Sequence, residues 1–227
     1  MNKQLIISIG TGRSGSVSLS SFLSEQENVL VLHEGRLEKE KIRKLIKWEN
    51  DDTELFNWIE YLLNYDENLK FIGDTGMYFL PYIDKIIHKY PNVKIIGLER
   101  EKEDVVTSFL KKTEGRNHWY SHNGNGWELD NRWDPCFPKY QIREKRKAIE
   151  KYYDDYISTT NDLKLRYPNN IKIWNLSSFN SSKTKNEILD FISYGNNRTI
   201  EKEFKKNTKL KSQRELILKK IKEWFLV

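Results

Sequence analysis

LIISIGTGRSGSVSLSSFL, residues 5–23, runs from an apolar strand through a glycine-rich turn into the start of a helix. The apolar run at 5–9 is short and bounded by glycine, as a buried strand is. Gly10, Gly12 and Gly15 punctuate the turn, and Arg13 stands in it where no apolar requirement explains it. Successive backbone N–H groups in such a turn converge on one point, and the helix behind adds the positive end of its dipole. The unit therefore predicts a cradle for a phosphate or sulfate at the carboxyl end of a strand.

Three nucleotide loops share this outline. In the nucleoside triphosphatase loop G-x-x-x-x-G-K-[ST], Gly10 and Gly15 have the right separation. Ser16, however, replaces the phosphate-binding lysine, and Val17 the magnesium-holding hydroxyl. ATP or GTP hydrolysis is disfavoured on that ground. The dinucleotide fingerprint G-x-G-x-x-G also fits in part. Glu34, just beyond the apolar run at 29–32, stands where its ribose-binding acid would be.

The rest of the chain alternates strand and helix. Strands are expected at 29–32, at 70–73 ending on Asp74, at 93–98 and at 171–176. Apolar spacing predicts helices at 37–48, at 54–65 with Leu55, Ile59, Leu62 and Leu63 on one face, and at 141–167. A helix at 79–90 is broken early by Pro81, another follows the strand at 93–98, and a closing helix is expected at 210–225. Alternation of this kind predicts an α/β fold, a central parallel sheet flanked by helices, in a single domain spanning 1–227.

Composition bounds the function. The 227 residues suffice for one well-buried α/β domain, and 37% hydrophobic with 13% aromatic residues argues against disorder. A net charge of +6 suits an anionic ligand. The lysines are dispersed, with no basic block or motif that points to nucleic acid. Cys136 is the single cysteine, so no intrachain disulfide forms, and metal-site spacing is absent. No run of about 18 apolar residues occurs, so neither a membrane span nor a signal peptide is expected, and a soluble, cytoplasmic protein is.

One segment breaks the alternation. TEGRNHWYSHNGNGWELDNRWDPCFPKY, residues 113–140, is rich in glycine, asparagine and proline and carries three tryptophans. So long a loop is usually functional. His118 and Trp119, with Asn117, His122, Trp127, Asp130 and Trp133, offer the stacking faces and hydrogen bonds that sugar rings require. A lid held together by its own tryptophans is the structural alternative.

The string Arg13-Ser14-Gly15-Ser16-Val17-Ser18-Leu19 resembles the 5′-phosphosulfate loop of sulfotransferases, [KR]-S-G-[TS]-x-[ST]-L. A second stretch, VKIIGLEREKEDVVTSFL at 93–110, is similar to the same family's 3′-phosphate clamp. There an arginine at a strand end and a serine eight residues on match Arg100 and Ser108. The resemblance implies a nucleoside-triphosphatase-like sulfotransferase fold that binds 3′-phosphoadenosine 5′-phosphosulfate (PAPS) and releases 3′,5′-ADP without a metal. Gly12, Arg13, Ser14, Gly15, Ser16, Val17 and Ser18 would hold the phosphosulfate, and Arg100 and Ser108 the 3′-phosphate.

It further implies a hydroxyl acceptor, with a carbohydrate favoured, and a glutamate base near the end of the second strand, where Glu34 stands beside His33. Side-chain alternation would send these two to opposite sides. Asp74 is the reserve base or a binder of substrate hydroxyls, with a helix cap as its structural alternative. Arg13 replaces a lysine common in the family and keeps the charge without being able to donate a proton. Arg198 and Lys202 are candidates for a basic segment over the nucleotide. A phosphotransferase with a variant loop, and a non-catalytic nucleotide- or carbohydrate-binding module, are the competing readings.

Overall fold

Strand β1 (Gln4–Ile9) forms because its residues can be buried on both sides: Leu5, Ile7 and Ile9 point to one face, Ile6 to the other. Near-continuous apolar character is the signature of a strand inside a parallel sheet. The computed structural model describes residues 3–37, 41–48 and 52–200. In it β1 is the middle strand of five, flanked by β5 (Phe71–Thr75) and β6 (Lys94–Glu99), with β2 (Val29–His33) and β7 (Ile171–Asn175) outermost. Every pair is parallel, with Ile7 opposite both Asp74 and Ile95, and Leu32 opposite Asp74.

Two helical layers cover the sheet. Helices α1 (Ser16–Ser24) and α6 (Ser182–Phe191) bury Leu19, Phe22, Ile188 and Leu189 with Ile6 and Trp174. On the other face lie α2 (Thr53–Leu63), α3 (Ile83–Lys89), α4 (Lys102–Lys112) and α5 (Lys145–Arg166). The chain leaves β1 toward one edge and β6 toward the other. The carboxyl end of β1 is thus a topological switch point, where open α/β sheets bind ligands.

The expected strands and most helices stand close to their predicted limits. Pro81 lies in a 3-10 turn at Met77–Tyr82, and α3 starts immediately after it. Ser181 caps α6 by accepting from the Thr184 N–H at 3.1 Å.

The helix expected at 37–48 does not form. In its place are β3 (Arg36–Leu37) and β4 (Ile42–Arg43), an antiparallel pair. The turn into it, Glu34–Gly35, has φ of 52° and 63°. A Cβ at residue 35 would lie 1.8 Å from the Lys44 carbonyl oxygen. Leu37 and Ile46 both reach the core, while Ile42, Leu45 and Ile46, at i, i+3 and i+4, imitate a helical face.

In the segment 113–140, Trp119 is fully buried, its ring 5.0 Å from Phe109, 4.8 Å from Phe137 and 5.7 Å from Tyr152. Lys202 and the closing helix expected at 210–225 fall outside the described residues. Among the described residues no helix is long and apolar enough to cross a membrane.

Candidate functional site

The turn after β1 is built from left-handed backbone, with φ of 76° at Gly12, 59° at Arg13 and 96° at Gly15. Gly15 has a second constraint, since a Cβ there would meet Leu176 Cδ1 at 2.4 Å. Helix α1 begins at Ser16 with no side-chain cap, so the first N–H groups, at 16–18, have no partner within the helix. Long helix α5 braces the turn from below. Tyr152 donates to the Thr11 carbonyl at 2.8 Å, while the Tyr156 hydroxyl accepts from the Gly10 N–H at 3.0 Å and donates to the Met77 carbonyl at 3.1 Å.

The two motifs meet. Arg13 Nε donates to Ser108 Oγ at 2.9 Å, and an Arg100 guanidinium nitrogen donates to the Arg13 carbonyl at 3.0 Å. Arg100 is also held by Asp104, 3.2 Å away one turn along α4. Burial and the nearby Arg100 both lower the Arg13 pKa, while Glu34 raises it.

These residues line one cleft of about 650 Å³, together with Gly12, Gly15, Ser16, Val17, Ser18, His33, Glu34 and His118. Ser14 does not face it. Its side chain is buried against Gly10, leaving only its backbone to the turn.

His33 and Glu34 both line the cleft, contrary to strict alternation, because the left-handed backbone at Glu34 ends the strand and turns its side chain back. His33 Nε2 lies 3.1 Å from Ser16 Oγ, and its Nδ1 is 3.7 Å from Glu34 Oε2. Burial and the cations Arg43, Arg13 and Arg36 push the His33 pKa down to about 4, so the ring is neutral at neutral pH. Glu34 accepts from Arg43 at 2.7 Å. Burial nevertheless raises its pKa against the pull of Arg43, Arg13 and Lys112.

Asp74 and Trp119 are placed elsewhere. Asp74 is fully buried beneath the Glu34–Gly35 turn, where it accepts from the Gly35 N–H at 3.1 Å, Trp58 Nε1 at 3.2 Å and the Tyr78 hydroxyl at 3.3 Å. It has no path to a substrate hydroxyl, and neither of its oxygens caps a helix. Trp119 has no exposed face to stack on a sugar. Arg198 is bound to Asn186 and Asp190 on α6 and does not line the cleft.

Three cleft residues escape the sequence reading: Arg43, Lys112 and Arg116. Arg43 lies in the hairpin mistaken for a helix, with its guanidinium 5.1 Å from the centre of the Trp133 ring. Lys112 could have been found, because it follows Ser108 by four residues on the same helical face.

No family model and no curated protein sequence matches this chain. Among solved structures, a sulfotransferase from Alicyclobacillus acidocaldarius superposes with a TM-score of 0.53 at 11% identity, over 97% of this chain and 92% of that one. The mouse sulfotransferase SULT7A1, complexed with PAP, gives 0.44 at 13% identity, over 86% of this chain and 60% of that one. The first of these shows a shared fold.

Proposed function

We propose that the protein is a sulfotransferase that moves a sulfuryl group from PAPS to an acceptor hydroxyl, with a carbohydrate as the favoured acceptor. The observation that carries this reading is the interlock of Arg13, Ser108 and Arg100 at the carboxyl ends of β1 and β6. It sets a helix N-terminus and one guanidinium beside a second guanidinium and a hydroxyl, a two-ended grip for a nucleotide phosphorylated at both 5′ and 3′ positions.

The residues fit such a donor, which supplies the sulfuryl group when bound. Arg13 and the N–H groups at 16–18 neutralise charge that develops on the departing phosphate. Since Arg13 cannot give up a proton, that stabilisation is electrostatic. Glu34 is the candidate base for the acceptor hydroxyl: a carboxylate whose raised pKa brings it nearer the working range of a general base. His33 stands beside it as a neutral neighbour bonded to Ser16.

The test is thermal stabilisation by 3′,5′-ADP against 5′-ADP and Mg-ATP, since a ligand that binds only the native state raises its stability with concentration over Kd. The 3′,5′-ADP should stabilise most. A preference for Mg-ATP would sink the assignment in favour of a phosphotransferase.

A further inference from the structure

His118 is buried in aromatic company yet opens on the cleft. Its side chain is 5% exposed, lies parallel to Phe137 at 5.5 Å and meets the Trp119 ring edge-on at 5.8 Å. Nδ1 is 2.6 Å from Asp134 Oδ1, and the other oxygen of Asp134 accepts from the Asp130 N–H at 2.6 Å. Lys139 binds the carbonyls of both His118 and Asp134, fixing the two segments together. Burial raises the Asp134 pKa, but the bonds from His118 and Asp130 outweigh it and the net shift is downward. Asp134 is therefore a carboxylate, and Nδ1 must carry the hydrogen between them.

Nε2 is then the ring nitrogen left for a ligand. It has no hydrogen bond to any described residue, and the cleft is what it faces. Open to the cleft rather than sealed in the core, this nitrogen is placed to meet a hydroxyl from outside the chain. Arg43 lies over one face of Trp133, and Phe137 stacks on His118 itself. Charge narrows the class further. Arg13, Arg43, Arg100, Lys112 and Arg116 line the cleft against Glu34 and Asp130, five cations to two carboxylates. A donor carrying about four negative charges already consumes that surplus.

We propose that the acceptor is a neutral polyol gripped at two hydroxyls, one hydrogen-bonded to His118 Nε2 while the one to be sulfated lies at Glu34. This rests on the sulfotransferase reading for the second hydroxyl only. His118, oriented by Asp134, is then a specificity-determining residue, selecting sugars over phenols and other monohydroxyl compounds.

The experiment is ligand-detected saturation-transfer NMR on the full chain, free and saturated with 3′,5′-ADP, using methyl galactopyranoside, galacturonate and cyclohexanol as probes. The galactoside should bind the loaded protein at least about tenfold more tightly than either of the others. His118→Phe, which keeps the ring stack, should weaken the galactoside about tenfold, the loss of one hydrogen bond, and leave cyclohexanol unchanged. Independently of any variant, the 15N resonance of His118 Nε2 in the unmodified protein should move as the galactoside is added. Equal binding of the three probes, no galactoside binding, a resonance that stays in place or indifference to His118→Phe each overturn the proposal. His118-dependent galactoside binding without 3′,5′-ADP binding would keep it and discard the sulfuryl-transfer reading instead.

Discussion

Glu34 sits where burial and cations pull in opposite directions. Burial raises its pKa, while Arg43, Arg13 and Lys112 keep the carboxylate accessible. A base must be deprotonated to act, so kcat/KM should rise with pH through the Glu34 pKa and then level. That acid limb should lie above the ordinary glutamate range. Glu34→Gln should lower turnover of PAPS at least about 100-fold, the scale of a positioned base, and leave 3′,5′-ADP affinity within about threefold. A variant that turns over normally would move the base elsewhere in the cleft. Arg100→Ala tests the other end: its guanidinium is a charge-assisted donor, so the preference for 3′,5′-ADP over 5′-ADP should shrink by roughly tenfold or more in titration calorimetry. Arg13, Arg100 and Ser108 were legible because fixed spacing and a strand end expose them in one dimension. Arg43 was not, because only the folded hairpin carries it back to Glu34.

At the scale of elements, the Glu34–Gly35 turn is held from both sides. The Lys44 N–H donates to the Gly35 carbonyl at 2.9 Å, and the Gly35 N–H donates to Asp74 on β5. Burial raises the Asp74 pKa from the ordinary 3.8 to about 7, against the donors that favour its charge. The folded state then binds a proton that the unfolded chain has released between these two values. This contribution is fully present below about pH 4 and is lost as pH rises through about 7. Urea denaturation should therefore show stability falling between about pH 4 and 7 and levelling above, by up to a few kcal/mol on the linkage scale. Asp74→Asn should flatten that slope, and an unchanged slope would locate the titrating group elsewhere. The register of β5 against β1 is equally strict, because a Cβ on Gly73 would stand 1.8 Å from the Ile6 carbonyl oxygen. Strands such as β1 and β6 were readable from apolar runs, and α5 from its helical stripe. The hairpin was not, since a two-residue strand carries too little pattern to overrule a fortuitous helical spacing. Trp119 was readable as an aromatic but not as core, because its burial depends on Phe109 of α4, Tyr152 of α5 and Phe137 from the far end of its own segment.

Across the whole molecule, the cleft joins parts of the chain that share no local sequence: the turn after β1 on one side of the switch point, β6 and α4 on the other. They are linked directly by the bond from Arg13 to Ser108. A ligand with phosphate at both ends should tighten them together. Amide hydrogen exchange separates this from binding at one end, because it reports local opening residue by residue. With 3′,5′-ADP bound, exchange should slow both at 12–18 and at 100–108. With 5′-ADP at equal saturation it should slow at 12–18 and stay near the free rate at 100–108, since no 3′-phosphate is there to engage Arg100. Ser108→Ala should lessen the protection of the second stretch by 3′,5′-ADP without abolishing that of the first. Protection confined to 12–18 with both nucleotides would mean that Arg100 and Ser108 brace Arg13 rather than hold a phosphate, and the site would have one end instead of two.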